Sequence, residues 1–117
     1  MSWDIELIDE NGNTVVIPRH EEGGTYVLGG TDRAELNITY NYSWFYFHFL
    51  NKKWGLRWLS GKKGKETISA LEKAVKELGT SQYKKDYWAP TNGNAGYALN
   101  ILLQWAKLHP TATFKVI

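Results

Sequence analysis

DYWAPTNGNAGYALNILLQWAKLHP, residues Asp86–Pro110, is the stretch whose reading decides the fold. Ala95, Ala98, Leu99, Leu102, Leu103 and Ala106 recur at the spacing of one helical face. Tyr97, Ile101, Trp105 and Leu108 widen that face, so only Asn100, Gln104 and Lys107 mark a wet side. The pattern predicts a helix from about Asn92 to Leu108. Thr91 or Asn92 serves as N-cap after Pro90, and Pro110 ends the helix. A helix this apolar is sandwiched in a core or covered by a partner.

Upstream lies a second helix, Glu66–Leu78, with Ile68, Leu71, Ala74, Val75 and Leu78 as its apolar stripe. Ser69 with Glu72 reads as a capping box, with Thr67 as the rival cap. Gly79 stands where a helix closes on a left-handed residue. Downstream, Thr113–Ile117 reads as a short closing strand. Asp86 itself is reached through a polar connection, Thr80–Lys85.

The N-terminal half reads as β-structure. Trp3, Ile5 and Leu7 alternate with Asp4 and Glu6 across Trp3–Ile8. Asn11-Gly12 leads into Thr14–Ile17 as a hairpin whose turn residues both take positive φ, and Pro18 stops the second strand. Thr25–Leu28 is a short strand between Gly23-Gly24 and Gly29-Gly30. Those glycine pairs flank a strand and do not lead into a helix, so they carry no phosphate-loop signature.

Ala34–Leu50 is the strongest β segment. Leu36, Ile38, Tyr40 and Tyr42 share one face, with Asn37, Thr39, Asn41 and Ser43 opposite. After Ser43 the parity changes to Phe45, Phe47 and Phe49, which predicts a bulge, bend or turn near Asn41–Ser43, or a strand pair. Trp54, Leu56 and Trp58 read as one more strand. The order predicts a single α+β domain over residues 1–117: a mainly antiparallel sheet of about five to seven strands, with two helices on one face.

Composition narrows the function classes. At 117 residues and 43% hydrophobic content the chain can bury a modest core. It has no cysteine, so disulfides, thiolate catalysis and cysteine–zinc sites are excluded. A net charge of +2 implies no large commitment to nucleic acid or to an anionic membrane. No apolar run approaches the roughly 20 residues that span a bilayer. Trp3, Asp4 and Glu6 follow Met1 without a signal-peptide pattern, so a cytoplasmic location is expected. Aromatics reach 15%, with six Trp and seven Tyr, and such residues are enriched at partner surfaces as well as in cores.

Several strings occur together: Arg19-His20 with Glu22-Gly23-Gly24-Thr25-Tyr26; Gly29-Gly30-Thr31; Glu35–Tyr42; and Asp86–Thr91 continuing to Gly93-Asn94-Ala95. With them the chain resembles small proteins of bacteriophages and prophages over nearly its whole length, and Trp44–Lys65 is the least typical part. That resemblance implies a protein made in the host cytoplasm during infection. It further implies a role of the sort such small proteins often have, binding host proteins or sequestering nucleotide signals used in host defence. It carries over no catalytic residue.

No catalytic set, metal-ligand spacing or cofactor motif stands out in the sequence. His20, beside Arg19, Glu21 and Glu22, offers acid–base chemistry, but a solvated loop is the commoner meaning. The polar face Asn37, Thr39 and Asn41 could meet the polar helix entrance Thr91 and Asn94, with Tyr40, Tyr42 and Trp88 for stacking and Arg19 for phosphate. Simple capping is the plainer reading of Thr91–Asn94. Lys52, Lys53, Arg57, Lys62, Lys63 and Lys65 surround Trp54 and Trp58. This is a pattern used on single strands, although near-neutral overall charge favours a solvated hairpin. The expected function is non-enzymatic binding of a nucleotide-like or phosphorylated ligand; a protein-interaction module aimed at a host protein is the alternative. Self-association would let so small a chain enclose a ligand at a two-fold interface.

Overall fold

The computed structural model describes residues 1–20, 31–82, 86 and 89–117. The expected strand Thr25–Leu28 and its flanking glycine pairs lie outside those residues. The class is α+β, as the pattern predicts. The layout differs: among the described residues there are three α-helices, and the strands form a three-stranded and a two-stranded sheet in place of one larger sheet.

β1 (Ser2–Ile8) lies at the centre of the larger sheet, antiparallel to β4 (Glu35–Thr39) on one side and β5 (Thr113–Val116) on the other. Strict alternation sends Trp3, Ile5 and Leu7 inward opposite Ile38, Leu36, Val116 and Phe114. β2 (Val16–His20) and β3 (Thr31–Arg33) form the smaller sheet. The two sheets meet in a cycle of backbone bonds. Leu7 N–H donates to Ala34 (3.1 Å), Val15 N–H donates to Leu7 (3.0 Å), and Ala34 N–H donates to Val15 (3.0 Å). The chain from β3 into β4 therefore changes partner at Ala34, from β2 to β1.

The hairpin after β1 forms, with different turn chemistry. Only Gly12 takes positive φ (81°); Asn11 does not. Asp9 Oδ1 accepts the N–H groups of Asn11 (2.9 Å) and Asn13 (3.0 Å), and this carboxylate replaces the need for a second left-handed residue. Pro18 lies inside β2 and does not end it.

Of two predicted β segments, Ala34–Leu50 is a strand only in its first part and Trp54–Trp58 is not a strand. β4 stops at Thr39, a 3-10 turn covers Tyr40–Tyr42, and α1 (Ser43–Phe49) follows. The parity switch at Ser43 is the junction of strand and helix. Tyr42, Phe45, Tyr46 and Phe49 follow the helical spacing, and this is the side that faces inward. Trp54–Trp58 is likewise no strand: Gly55–Leu59 is a 3-10 segment whose threefold period buries Leu56 and Leu59.

α2 (Gly64–Leu78) and α3 (Asn92–Leu108) are the long helices, and they lie against each other. α3 has the predicted limits. α2 starts earlier than its predicted caps: Glu66 Oε1 accepts the Lys63 N–H (3.0 Å), while Thr67 is buried inside the first turn. The helices meet through small residues. A methyl group on Gly64 would sit 2.9 Å from the His109 carbonyl oxygen and 3.0 Å from Ala106 Cα. At the other end, a methyl on Gly96 would overlap the Gly79 carbonyl oxygen, and one on Gly93 would overlap that of Ser81.

Helix propensity alone predicts that Gly96→Ala stabilises the protein by about 1 kcal/mol. The packing predicts the reverse sign, with a net loss of more than about 2 kcal/mol as the helices are pushed apart. Urea unfolding of the Gly96→Ala variant decides between the two.

Candidate functional site

Most of the nominated pocket residues have structural partners. Asn37 is half-buried on the sheet's outer face and donates through Nδ2 to Ser2 Oγ and Asp4 Oδ1, both at 2.8 Å. Asp4 is an acceptor when ionised, which fixes the orientation of that amide. Thr39 is buried and accepts the Asn41 N–H at 3.2 Å, capping the 3-10 turn. Asn41 is exposed on that turn, so it does not continue the strand face of Asn37 and Thr39. Tyr40 packs on Trp3 with ring centroids 4.6 Å apart. Tyr42 is fully buried, edge-on to Tyr46 at 6.1 Å.

At the α3 entrance, Thr91 Oγ1 accepts the Asn94 N–H at 3.1 Å. Asn94 is fully buried, and its Nδ2 donates to the carbonyls of Asp86 (3.2 Å) and Ala89 (3.0 Å). These contacts tie the incoming chain to the helix. Trp88 lies outside the described residues, and Arg19 is described only as backbone in β2. His20 is likewise described only as backbone. His109 ends α3 with its Nε2 2.8 Å from the Val16 carbonyl. Among the described residues no group of three His, Asp or Glu is placed to hold a metal ion. No helix among them is long and apolar enough to cross a membrane.

The sequence understated a different region. The outward arc of α1 carries Trp44, Phe47 and His48, one helical turn apart. Their exposure is unusual: Trp44 is 63%, Trp54 55% and Phe47 42% accessible. The His48 ring lies parallel to Trp44, at 4.7 Å and 9°. The turn that follows is built to present its residues. Asn51 Oδ1 accepts the N–H groups of Lys53 (3.0 Å) and Trp54 (2.8 Å). Gly55, at φ 58°, reverses the chain. Its bare Cα also lets the Phe47 ring lie against it, since a methyl there would be 3.2 Å from that ring. Phe47 thus joins the α1 rings to the turn that holds Trp54.

Basic residues follow the α1 rings in the chain. Lys53 Nζ lies 5.2 Å above the Trp54 ring, and Lys62 Nζ lies 4.7 Å above Trp58. Lys52, Arg57, Lys63 and Lys65 are exposed in the same segment. Residues 36–65 hold six of the fourteen Lys and Arg and none of the twelve Asp and Glu. That segment is formally +6, and the remainder of the chain is −4. The near-neutral total is an average over two regions of opposite sign. Sequence reasoning saw the basic cluster but missed the acid-free run around it. Read as a strand, the segment puts Trp44 and His48 on one face with Tyr46, as a covered layer or a binding surface; the helix instead buries Tyr46 and exposes Phe47 beside them.

No protein-family model matches this chain, and no curated protein or solved structure matches it either.

Beneath the exposed rings lies a buried aromatic layer that titrates unusually. Tyr46 is fully buried, and its hydroxyl donates to the Ala95 carbonyl in the first turn of α3 at 3.0 Å. Burial holds its phenol well above the usual tyrosine range, and neighbouring Tyr42 adds to the effect. Tyr42 is raised too, by burial first and by the Asp86 charge second. Both groups favour the neutral form in the folded state, so their stabilising effect is complete below the unfolded pKa of about 10 and is lost as pH rises above it. Urea unfolding at pH 9 and pH 11 measures this. Tyr46→Phe and Tyr42→Phe should each reduce the fall in stability by up to about 1.4 kcal/mol per pH unit. An unchanged fall would mean that neither phenol is held neutral by the fold.

Proposed function

We propose that this protein is a non-enzymatic binding module whose working surface is the outward face of α1 with the turn Asn51–Gly55, and whose partner is polyanionic. The observation that carries this reading is the coincidence of exposed Trp44, Phe47 and Trp54 with an acid-free segment of formal charge +6. Clusters of exposed aromatic rings mark interaction sites. Their basic surroundings select a partner of opposite sign.

The chemistry expected from the sequence, recognition of a nucleotide-like or phosphorylated ligand, is retained in this reading. Its seat moves. Thr39, Tyr42, Thr91 and Asn94 are engaged in caps and core, whereas the α1 rings are open to solvent. In the bacteriophage setting that the resemblance implies, such a module acts by occupying its partner.

Heparin serves as a generic polyanion for the test. The wild-type chain should be retained on a heparin column despite its small net charge, and should elute as salt screens the contact. The variant K52Q/K53Q/R57Q should pass through unretained. The control K73Q/K76Q/K115Q, with the same change in net charge elsewhere on the surface, should still be retained. Equal loss in both variants would show that net charge alone acts and would remove the basis for assigning the surface.

A further inference from the structure

Resting on the reading above, we infer that the α1 surface binds single-stranded nucleic acid, with bases stacking on Trp44 and Trp54 and the surrounding lysines holding phosphates.

Charge complementarity alone admits any polyanion, and three features select among them. The first is the kind of cation. Five of the six basic residues in the segment are Lys. Protein interfaces are depleted in Lys, whereas phosphate oxygens are contacted by Lys and Arg as a rule. The second is the way the rings are displayed. Trp44 is already in a parallel stack with His48, at 9°. A base adding to that pair would extend a parallel stack that the helix already holds. Bases within a duplex are stacked on each other and present only edges in the grooves, so exposed ring faces serve an unpaired strand.

The third feature is the repeated pairing of an indole with an ammonium. Lys53 lies over Trp54, and Lys62 lies over Trp58. On a nucleic acid strand both halves of this pairing find a partner, at the small cost of giving up an exposed cation–π contact. The ammonium passes from the ring face to the adjoining phosphate, and a base takes its place on the indole. Stacking plane and phosphate counter-charge then sit one residue apart in the chain, at Lys53 and Trp54. The arrangement reads no base edges, so binding should be tolerant of sequence.

The test uses the full chain and a fluorescein-labelled oligothymidylate of about 16 nucleotides, followed by anisotropy over a range of salt. The expected result is saturable binding with quenched tryptophan fluorescence. A duplex of the same length should compete at least about tenfold less well. Trp44→Ala and Trp54→Ala, both at exposed positions, should each weaken binding at least about fivefold without changing the salt slope. Trp54→Phe, which keeps a ring, should recover most of the loss. K52Q/K53Q should instead lower the slope of log K against log salt by about 1.4. Circular dichroism checks that each variant is folded.

Three outcomes would overturn the inference. One is affinity unchanged by both tryptophan substitutions. Another is equal affinity for duplex and single strand. The third is binding to phosphatidylglycerol vesicles with none to the oligonucleotide. If heparin retention through Lys52, Lys53 and Arg57 holds in any of these cases, only the choice of partner fails. If that retention is absent too, the assignment of the surface falls with it.

Discussion

The backbone of α3 meets that of α2 and of the chain just past it at places where no side chain stands between them. Gly64 meets Ala106, Gly96 meets Gly79, and Gly93 meets Ser81. Each is a position where even one methyl group would press on the neighbouring backbone. This close approach makes α3 a core helix: Ala95, Ala98, Leu99, Leu102, Leu103, Trp105 and Ala106 are all buried. The narrow wet side, Asn100, Gln104 and Lys107, is the side left to solvent, and Lys107 reaches Glu72 of α2 at 3.7 Å. α3 then acts as the floor on which the rest is laid. Tyr46 bonds to its first turn through Ala95, and the segment before β5 is gathered in by α2, through Gly64 N–H to Ala112 at 2.8 Å.

That floor explains how a helix as poor in intrinsic propensity as α1 exists. SWFYFHF contains no strong helix former, and seven residues are too few to hold a helix in isolation. Its inward ring pair, Phe45 and Tyr46, is fixed by burial and by the Tyr46 hydroxyl. Once those two are placed, helical geometry forces Trp44, Phe47 and His48 to the outside. The proposed working surface is thus a consequence of the core contact. The Asn51 side chain and Gly55 then set the turn that adds Trp54 and Lys53 to it.

How far the sequence disclosed this differs by element. β1 and α3 were plain because each carries more than one full cycle of a single period. β5 and most of α2 were plain for the same reason, although the start of α2 hid behind Lys63, whose cap comes from Glu66 downstream. α1 resembles a strand in sequence because its residues are strand formers by preference and two helical turns offer only one recurrence of the pattern. The correct signal was present as Tyr42, Phe45, Tyr46 and Phe49, and it competed with a tidy alternation of Phe45, Phe47 and Phe49. The basic cluster is visible in the sequence, but the near-neutral total charge conceals its weight. The total is the wrong quantity when acidic residues are confined to other parts of the chain. The nominated pocket illustrates the opposite difficulty. Thr39, Thr91 and Asn94 are the residue types that both caps and ligand sites use, and only geometry separates the two.

The most direct test of the central claim is a residue-resolved map of where a polyanionic strand touches the protein. The indole N–H signals of the six tryptophans provide it in one NMR titration with unlabelled oligothymidylate. Trp44 and Trp54 should shift strongly, while Trp3 and Trp105, buried in the core, should hold their positions. Backbone amide shifts should concentrate in residues 44–65. Shifts concentrated instead around Thr91–Asn94 and the outer face of β4, with Trp44 and Trp54 unmoved, would contradict the account and return the site to the α3 entrance.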